Sequence, residues 1–157
     1  MNYAEEIGKI LLEKNLKIST TESCTGGLLS SRLTDISGSS AYITLNLVTY
    51  ANEAKLKMLN VVLDEDGAVS EHCAQQMAKG LYQLTHSDIC VSTTGIAGPT
   101  GGTKEKPVGL MYSTIYTPNK TQTYKINVNP ELSRVQIKEL FVEKVLQNIY
   151  EFILKNY

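Results

Sequence analysis

Apolar residues recur at intervals of three and four along much of the chain, the spacing that places them on one face of a helix. Ile7, Ile10 and Leu11 follow this spacing and predict an amphipathic helix over Tyr3–Asn15. The same criterion predicts helices over Leu28–Leu33, Asn52–Asn60, Ser70–His86, with Ser70 as its N-cap, and from Pro130 to about Lys155. The positions expected to face the core in the last two helices are Cys73, Met77, Leu81, Leu84, Val135, Leu140, Val145, Ile149 and Phe152.

Short segments rich in β-branched and aromatic residues lie between these helices and predict strands. They are Lys17–Thr21, Ala41–Tyr50, Asp88–Thr93, Val108–Tyr116 and Thr121–Val128. The last two flank Thr117–Lys120, whose proline and asparagine favour a hairpin turn. Strands and helices alternate over most of the chain, and two consecutive strands precede the final helix. This order predicts a layered α/β fold with a mixed sheet and helices on both faces.

Length and composition narrow the class of protein. The 157 residues suit one domain, and no linker or repeat divides them, so we expect a single domain over residues 1–157. The net charge of -1 gives no general attraction to nucleic acid or anionic lipid. No apolar run approaches the roughly 20 residues of a membrane span, and Met1–Lys17 lacks a signal-peptide core. The three cysteines are widely spaced, which argues against a disulfide framework and favours a cytoplasmic protein.

The segment Thr20–Gly27 is the first candidate for chemistry, because a predicted strand ends there and a helix begins. Open α/β sheets gather ligands at such positions. A Ser23 or Cys24 side chain on this turn is held toward solvent, and the two glycines that follow let a substrate approach the backbone. The N–H groups that open the next helix can face a developing oxyanion. On geometry alone, a helix cap by Ser23 and Thr25 is the simpler interpretation.

The segment Thr49–Lys55 lies at the next junction of a strand with a helix. Tyr50 ends the strand and Lys55 follows five residues later, so both side chains can point over the same rim. A lysine acts as a base where desolvation or a nearby cation lowers its pKa toward neutrality. Most lysines are solvated, so the default interpretation is an exposed Lys55 on the helix surface.

A long glycine-rich loop over Gly95–Pro107 follows a predicted strand. Loops of this length are frequently functional, and their N–H groups can form a nest for a phosphate or a carboxylate. The loop has neither the Walker pattern nor GxGxxG, and a flexible connection explains it equally well. His72 and His86 lack the spacing of metal ligands, so we expect no metal site.

Taken in order along nearly the whole chain, five motifs resemble the C-terminal domain of the competence/damage-inducible CinA family, also known as nicotinamide-nucleotide amidases. Each motif is weak alone, but five in register are highly specific. They are Thr21–Gly27, Thr34-Asp35 with Gly38–Tyr42, Val48–Lys55, Gly67–Glu71, and Thr94–Pro99 continuing through Gly101-Gly102 to Glu105–Gly109. The resemblance replaces the simpler interpretations of Ser23, Lys55 and the glycine loop.

The resemblance implies a three-layer α/β/α sandwich that assembles at least as a homodimer and needs no metal or cofactor. It also implies that the substrate is a nucleotide, nicotinamide mononucleotide, which is hydrolysed to nicotinate mononucleotide and ammonia. Ser23 then matches the nucleophile, Lys55 its base and Tyr50 a neighbouring active-site hydroxyl. The expected substrate-binding residues include a candidate oxyanion hole at Thr25–Gly27 and a phosphate-binding loop. They are Thr25, Gly26, Gly27, Ser40, Asn52, Thr94, Gly95, Gly98, Gly101, Gly102, Thr103 and Arg134.

The chain departs from the family pattern in three places. Family members carry a glycine near the position of Leu45-Asn46, and this chain has none there. The segment between Val61 and Gly67 is also shorter than expected. Where the family has Gly-Asp-Arg followed by a second arginine, the chain has Val128–Pro130 and keeps only the second, Arg134. Arg134 or Arg32 is then the candidate to replace the missing arginine. Longer relatives carry an additional N-terminal domain of pyrophosphatase type, and we expect this domain to stand alone.

Two other functions stay open on the sequence. The lost arginine and the change at Leu45-Asn46 suit a nucleotide-binding or regulatory module that has kept the fold and lost turnover. Cys24 neighbours Ser23 and suits a cysteine hydrolase, although no histidine is visibly placed to activate it. The substitutions Ser23→Ala and Cys24→Ala separate the serine mechanism from the cysteine mechanism.

Overall fold

A computed structural model describes all 157 residues, and its elements follow the alternation predicted from the sequence. The helices are α1 (Tyr3–Glu13), α2 (Leu28–Thr34), α3 (Asn52–Leu59), α4 (Glu71–Thr85) and α5 (Arg134–Asn156), with a 3₁₀ turn at Ser39–Ala41. The strands are β1 (Ile18–Glu22), β2 (Ile43–Val48), β3 (Ile89–Gly95), β4 (Leu110–Tyr116) and β5 (Thr121–Asn127). No helix combines the length and the apolar character that a membrane crossing requires.

The five strands form one mixed sheet in the order β2-β1-β3-β4-β5. The strands β2, β1 and β3 are parallel, and β4 and β5 complete the sheet as antiparallel neighbours. The predicted turn at Thr117–Lys120 is confirmed, since Thr117 N–H donates to the carbonyl of Lys120. Parallel strands end at the same edge of a sheet, so the segments after β1, β2 and β3 meet there.

Helices cover both faces of the sheet, as the sequence predicts. The larger core lies on the face covered by α1, α2 and α5, and it includes Ile7, Leu29 and Phe141. A smaller core lies on the opposite face, where Leu59 of α3 and Met77 of α4 pack together. The α/β/α sandwich is therefore confirmed.

The ends and faces of the long helices agree only partly with the sequence prediction. Ser70 caps α4 by accepting from Cys73 N–H, as predicted. The prediction that α5 starts at Pro130 is wrong. Ser133 and Gln136 form a reciprocal capping box, and the helix begins at Arg134. Three residues expected in the core, Leu84, Val135 and Leu140, are exposed by 49%, 65% and 38%.

Gly80 lets α4 approach the end of α3. A Cβ atom at Gly80 would lie 2.1 Å from the carbonyl oxygen of Leu59. Helix propensity alone favours alanine over glycine by about 1 kcal/mol. We expect the opposite here: Gly80→Ala lowers the free energy of unfolding by roughly 1–3 kcal/mol, because the clash is with backbone. Urea unfolding measures this, with the exposed Lys79→Ala on the same helix as control. An unchanged or raised midpoint for Gly80→Ala contradicts the expectation.

Candidate active site

A pocket of about 260 Å³ opens at the edge of the sheet where β1 and β3 end. Its walls come from the turn after β1, the start of α3, the glycine-rich loop after β3 and the first turn of α5. The pocket wall includes many of the residues that the sequence singles out, namely Ser23, Cys24, Tyr50, Asn52, Lys55, Thr94, Gly95, Gly98, Gly101 and Arg134.

Ser23 and Lys55 are in direct contact inside this pocket. Ser23 follows the last residue of β1, and Lys55 projects from the first turns of α3. Lys55 Nζ lies 3.1 Å from Ser23 Oγ and 2.9 Å from the carbonyl oxygen of Tyr50. An ammonium donates to both oxygens, whereas a neutral amine can donate to the carbonyl and accept the serine proton. The arrangement can therefore move a proton between serine and lysine.

Lys55 is a buried lysine with no carboxylate partner. Its side chain belongs to the face of α3 that packs on the domain, and only 1% of the residue is exposed. None of the ion pairs in the structure includes it. Burial lowers the pKa of the Lys55 amine from its ordinary value, because the charged form is poorly solvated. The default interpretation of Lys55 as an exposed surface lysine is therefore wrong.

Tyr50 contributes to the pocket mainly through its backbone. Its carbonyl oxygen accepts from Lys55 and also lies 3.5 Å from Ser23 Oγ. Its phenol points away to the rim, is largely exposed, and accepts from Arg134 Nη2 at 3.0 Å. Arg134 also donates through Nη1 to the carbonyl of Gly98 at 2.6 Å. The guanidinium therefore joins the glycine loop to the β2–α3 connection across the mouth of the pocket.

The turn after β1 is held by buried hydrogen bonds, and Thr25 is part of that support. Thr25 is fully buried, and its hydroxyl contacts Glu22 Oε1 at 2.6 Å and Thr93 Oγ1 at 2.8 Å. The hydroxyl is therefore unavailable to a ligand. Gly26 N–H is also occupied, by the carbonyl of Ser23, whereas the N–H groups of Thr25 and Gly27 have no acceptor within the chain. The N–H group of Cys24 likewise has no acceptor, and Cys24 is the one of these three residues that lines the pocket beside Ser23.

Several residues expected to bind substrate lie elsewhere. Ser40 is in the 3₁₀ turn beside Tyr42, whose carbonyl accepts from Ile18 N–H, so it lies at the opposite end of β1 from Ser23. Thr103 lies outside the pocket, and its hydroxyl accepts from Lys106 N–H. The hydroxyl of Thr94 lines the pocket but donates to the carbonyl of Ala68. Gly26, Gly27 and Gly102 are also absent from the pocket wall.

Cys24 is poorly suited to act as a nucleophile. It is 6% exposed, and burial raises the pKa of its thiol to about 12. The thiolate, which is the reactive form, is therefore scarce at neutral pH. Both histidines are remote from it: His72 is exposed and contacts Gln76, and His86 ends α4. No group of three or more His, Cys, Asp or Glu side chains is close enough together to hold a metal ion.

Sequence reasoning missed the role of Glu22, although it quoted the residue within a motif. Glu22 is fully buried at the end of β1, and its carboxylate accepts four hydrogen bonds from the turn and from α2. The available sequence signal was a carboxylate directly before a candidate nucleophile, at the end of a predicted strand.

Comparisons with known proteins agree with this fold. The family model of the CinA C-terminal domain matches residues 1–153 of the sequence. A CinA-like protein of Chloroherpeton thalassium is 46% identical over 98% of the chain and 38% of its own length. A CinA-like protein of Shewanella pealeana is 44% identical over 88% of the chain and 33% of its own length. The chain thus spans about a third of the length of these curated relatives.

Two solved structures are similar over almost their whole length. The competence/damage inducible protein CihA from Agrobacterium tumefaciens is 36% identical, with a TM-score of 0.87 over 95% of the chain and 94% of its own. The competence damage-inducible protein A (ComA) from Klebsiella pneumoniae is 27% identical, with a TM-score of 0.91 over 99% and 97%. With the family model matching nearly every residue, the chain belongs to the CinA C-terminal domain family.

Proposed function

We propose that the chain is a serine amidase that hydrolyses nicotinamide mononucleotide to nicotinate mononucleotide and ammonia. The contact between Ser23 Oγ and the buried, unpaired Lys55 Nζ, 3.1 Å apart, carries the proposal. A serine hydroxyl is a weak nucleophile until a base takes its proton. A lysine whose pKa is lowered by burial can act as that base nearer to neutral pH.

The first half of the reaction forms an acyl-enzyme. Ser23 Oγ attacks the carboxamide carbon while its proton passes to Lys55 Nζ, giving a tetrahedral oxyanion. The positively charged pyridinium ring of the substrate withdraws electrons from this carbon and favours the attack. We assign the free N–H group of Cys24, which lines the pocket beside Ser23, to the oxyanion, in place of the amides of Thr25–Gly27, because preorganised donors stabilise charge that develops in the transition state.

The second half releases both products. The C–N bond breaks as Lys55 returns its proton to the nitrogen, which leaves as ammonia, and the acyl group stays on Ser23. Water then adds to the acyl carbon with Lys55 as base. The bond between the acyl carbon and Ser23 Oγ breaks as the proton returns to the serine, and nicotinate mononucleotide is released.

The rim of the pocket suits the phosphate of a nucleotide. Arg134 is the one guanidinium that lines the pocket, and it has no carboxylate partner. The N–H groups of Gly98 and Gly101 have no acceptor within the chain. We assign phosphate binding to this arginine and these amides, in place of the Thr94 and Thr103 hydroxyls. The proposal includes a homo-oligomer, which the family resemblance implies, in the cytoplasm, which the cysteine content favours.

The proposal predicts a simple result for the purified chain. Incubation with nicotinamide mononucleotide is expected to release ammonia and nicotinate mononucleotide in equal amounts, measured by coupled ammonia assay and chromatography. Free nicotinamide is the matched control substrate, since it offers the same amide without ribose phosphate and is expected to react poorly. Thermal stabilisation by the nucleotide without ammonia would instead favour a binding module that has lost turnover.

A further inference from the structure

Glu22 is a buried carboxylate that no cation neutralises. It is fully buried, and no ion pair includes it. Its oxygen Oε1 accepts from Leu29 N–H at 2.8 Å and Thr25 Oγ1 at 2.6 Å, and Oε2 accepts from Ser30 N–H at 3.0 Å and Ser30 Oγ at 2.6 Å. Gly27 occupies the N-cap of α2 and offers no side chain. The carboxylate therefore satisfies helix amides that would otherwise be unpaired.

The charge of Glu22 sets the direction of a chain of hydrogen bonds that ends at Ser23. An ionised carboxylate only accepts, so the Thr25 hydroxyl must donate to it. Thr25 Oγ1 then accepts from the Thr93 hydroxyl, 2.8 Å away. This leaves a lone pair of Thr93 Oγ1 facing Ser23 N–H at 3.3 Å, beside the 3.0 Å bond from the same N–H to the Thr93 carbonyl.

The hydrogen bonds from Glu22 through Thr25 and Thr93 hold the serine of the Ser23–Lys55 contact. Lys55 is held independently, through α3 and the carbonyl of Tyr50. Ser23 lies one residue past β1, where a single backbone bond, from its N–H to the Thr93 carbonyl, still joins it to β3, so the placement of its side chain also depends on the anchored turn that follows. A displacement of about 1 Å at a reacting group can lower a rate by roughly 100-fold.

We propose that Glu22 and Thr25 are positioning residues, which hold Ser23 at the distance from Lys55 that proton transfer needs. Thr25 therefore acts on Ser23 from inside the fold rather than on a ligand through its side chain. The inference rests on the proposed serine amidase. It predicts that the Thr25 hydroxyl affects kcat and does not affect substrate affinity.

The test compares Thr25→Val, which removes the hydroxyl at nearly constant volume, with Thr25→Ser, which keeps it. Thr25→Val is expected to lower kcat for nicotinamide mononucleotide by about 10–100-fold with KM almost unchanged. Thr25→Ser is expected to restore most of the loss. Thr114→Val is the matched control, because it removes a partly buried bond between two other threonine hydroxyls, 2.9 Å from Thr114 on β4 to Thr123 on β5.

A second readout needs no amide substrate. A fluorophosphonate probe labels an activated serine: the Ser23 Oγ–P bond forms, fluoride leaves and Lys55 takes the proton. Labelling of Ser23 is expected to slow in Thr25→Val and to recover in Thr25→Ser. If wild type is labelled but releases no ammonia, the amidase proposal fails while the labelling rates still test positioning. The positioning role is overturned if kcat and the labelling rate are equal in Thr25→Val, Thr114→Val and wild type, with only the melting temperatures changed. It is also overturned if the wild type is neither labelled nor active.

Discussion

Replacing Ser23 with alanine is expected to reduce ammonia release from nicotinamide mononucleotide by about 10⁴-fold or more, because the acyl-enzyme can no longer form. The variant should keep its fold, since the serine side chain is only partly buried and its contacts are Lys55 Nζ and the Tyr50 carbonyl. Nucleotide affinity should change little, because phosphate binding is assigned to the rim of the pocket. Ammonia release and nucleotide binding by calorimetry together measure both effects.

Cys24→Ala is the matched control for this experiment. It removes the neighbouring side chain from the same turn, and the buried thiol with its raised pKa is expected to contribute nothing to turnover. Normal activity in Ser23→Ala, or loss of activity in Cys24→Ala with the fold intact, would contradict the serine mechanism.

Lys55→Met is expected to have the second-largest effect. Methionine has a similar length and no titratable group, so the variant should fill the same space and lose the base. A general base contributes roughly 10²–10⁴-fold, and we expect a fall of that size in kcat/KM. Lys57→Met, two positions along the same helix, is the control, because Lys57 is exposed and pairs with Glu53 on the surface. Unchanged turnover in Lys55→Met would remove lysine from the mechanism.

The lowered pKa of Lys55 also predicts a pH dependence of activity. The neutral amine is the base, so kcat/KM of wild type should rise with pH and level off above the pKa of Lys55. Because burial lowers that pKa, the rise should be centred below the ordinary lysine value of 10.5. An initial-rate series across pH measures the profile. A rise centred near the ordinary value, or no rise at all, would contradict the assignment.

The same shift predicts how stability changes with pH. The folded chain holds the Lys55 proton less tightly than the unfolded chain, so unfolding takes up protons and the stability of wild type rises with pH in this window. The cost of burying the charge is fully present below the lowered pKa and disappears above the ordinary value. The melting temperature of Lys55→Met relative to wild type should therefore be highest below the lowered pKa and should fall as pH rises.

Sequence by itself determined the elements through local patterns, and it indicated the candidate chemistry through the resemblance of five motifs to the CinA family. Helical spacing and β-branched runs reproduced the order of strands and helices, and Ser70 marked the start of α4. The positions of Ser23 and Lys55 at junctions of strands with helices followed from the same patterns. The start of α5 was missed because Pro130 is a plausible first residue, and the capping box of Ser133 and Gln136 was the stronger signal.

Only the tertiary structure decided which of these residues meet. Ser23 and Lys55 are 32 positions apart, and Tyr50 and Arg134 are 84 apart. Such contacts depend on the order of strands in the sheet, which local periodicity does not encode. The fold also buried Lys55, for which the local pattern alone favoured an exposed position, and placed Ser40 at the far end of β1. Burial and strand order are properties of the packed layers, so the environment that makes the lysine a candidate base appears only when they assemble.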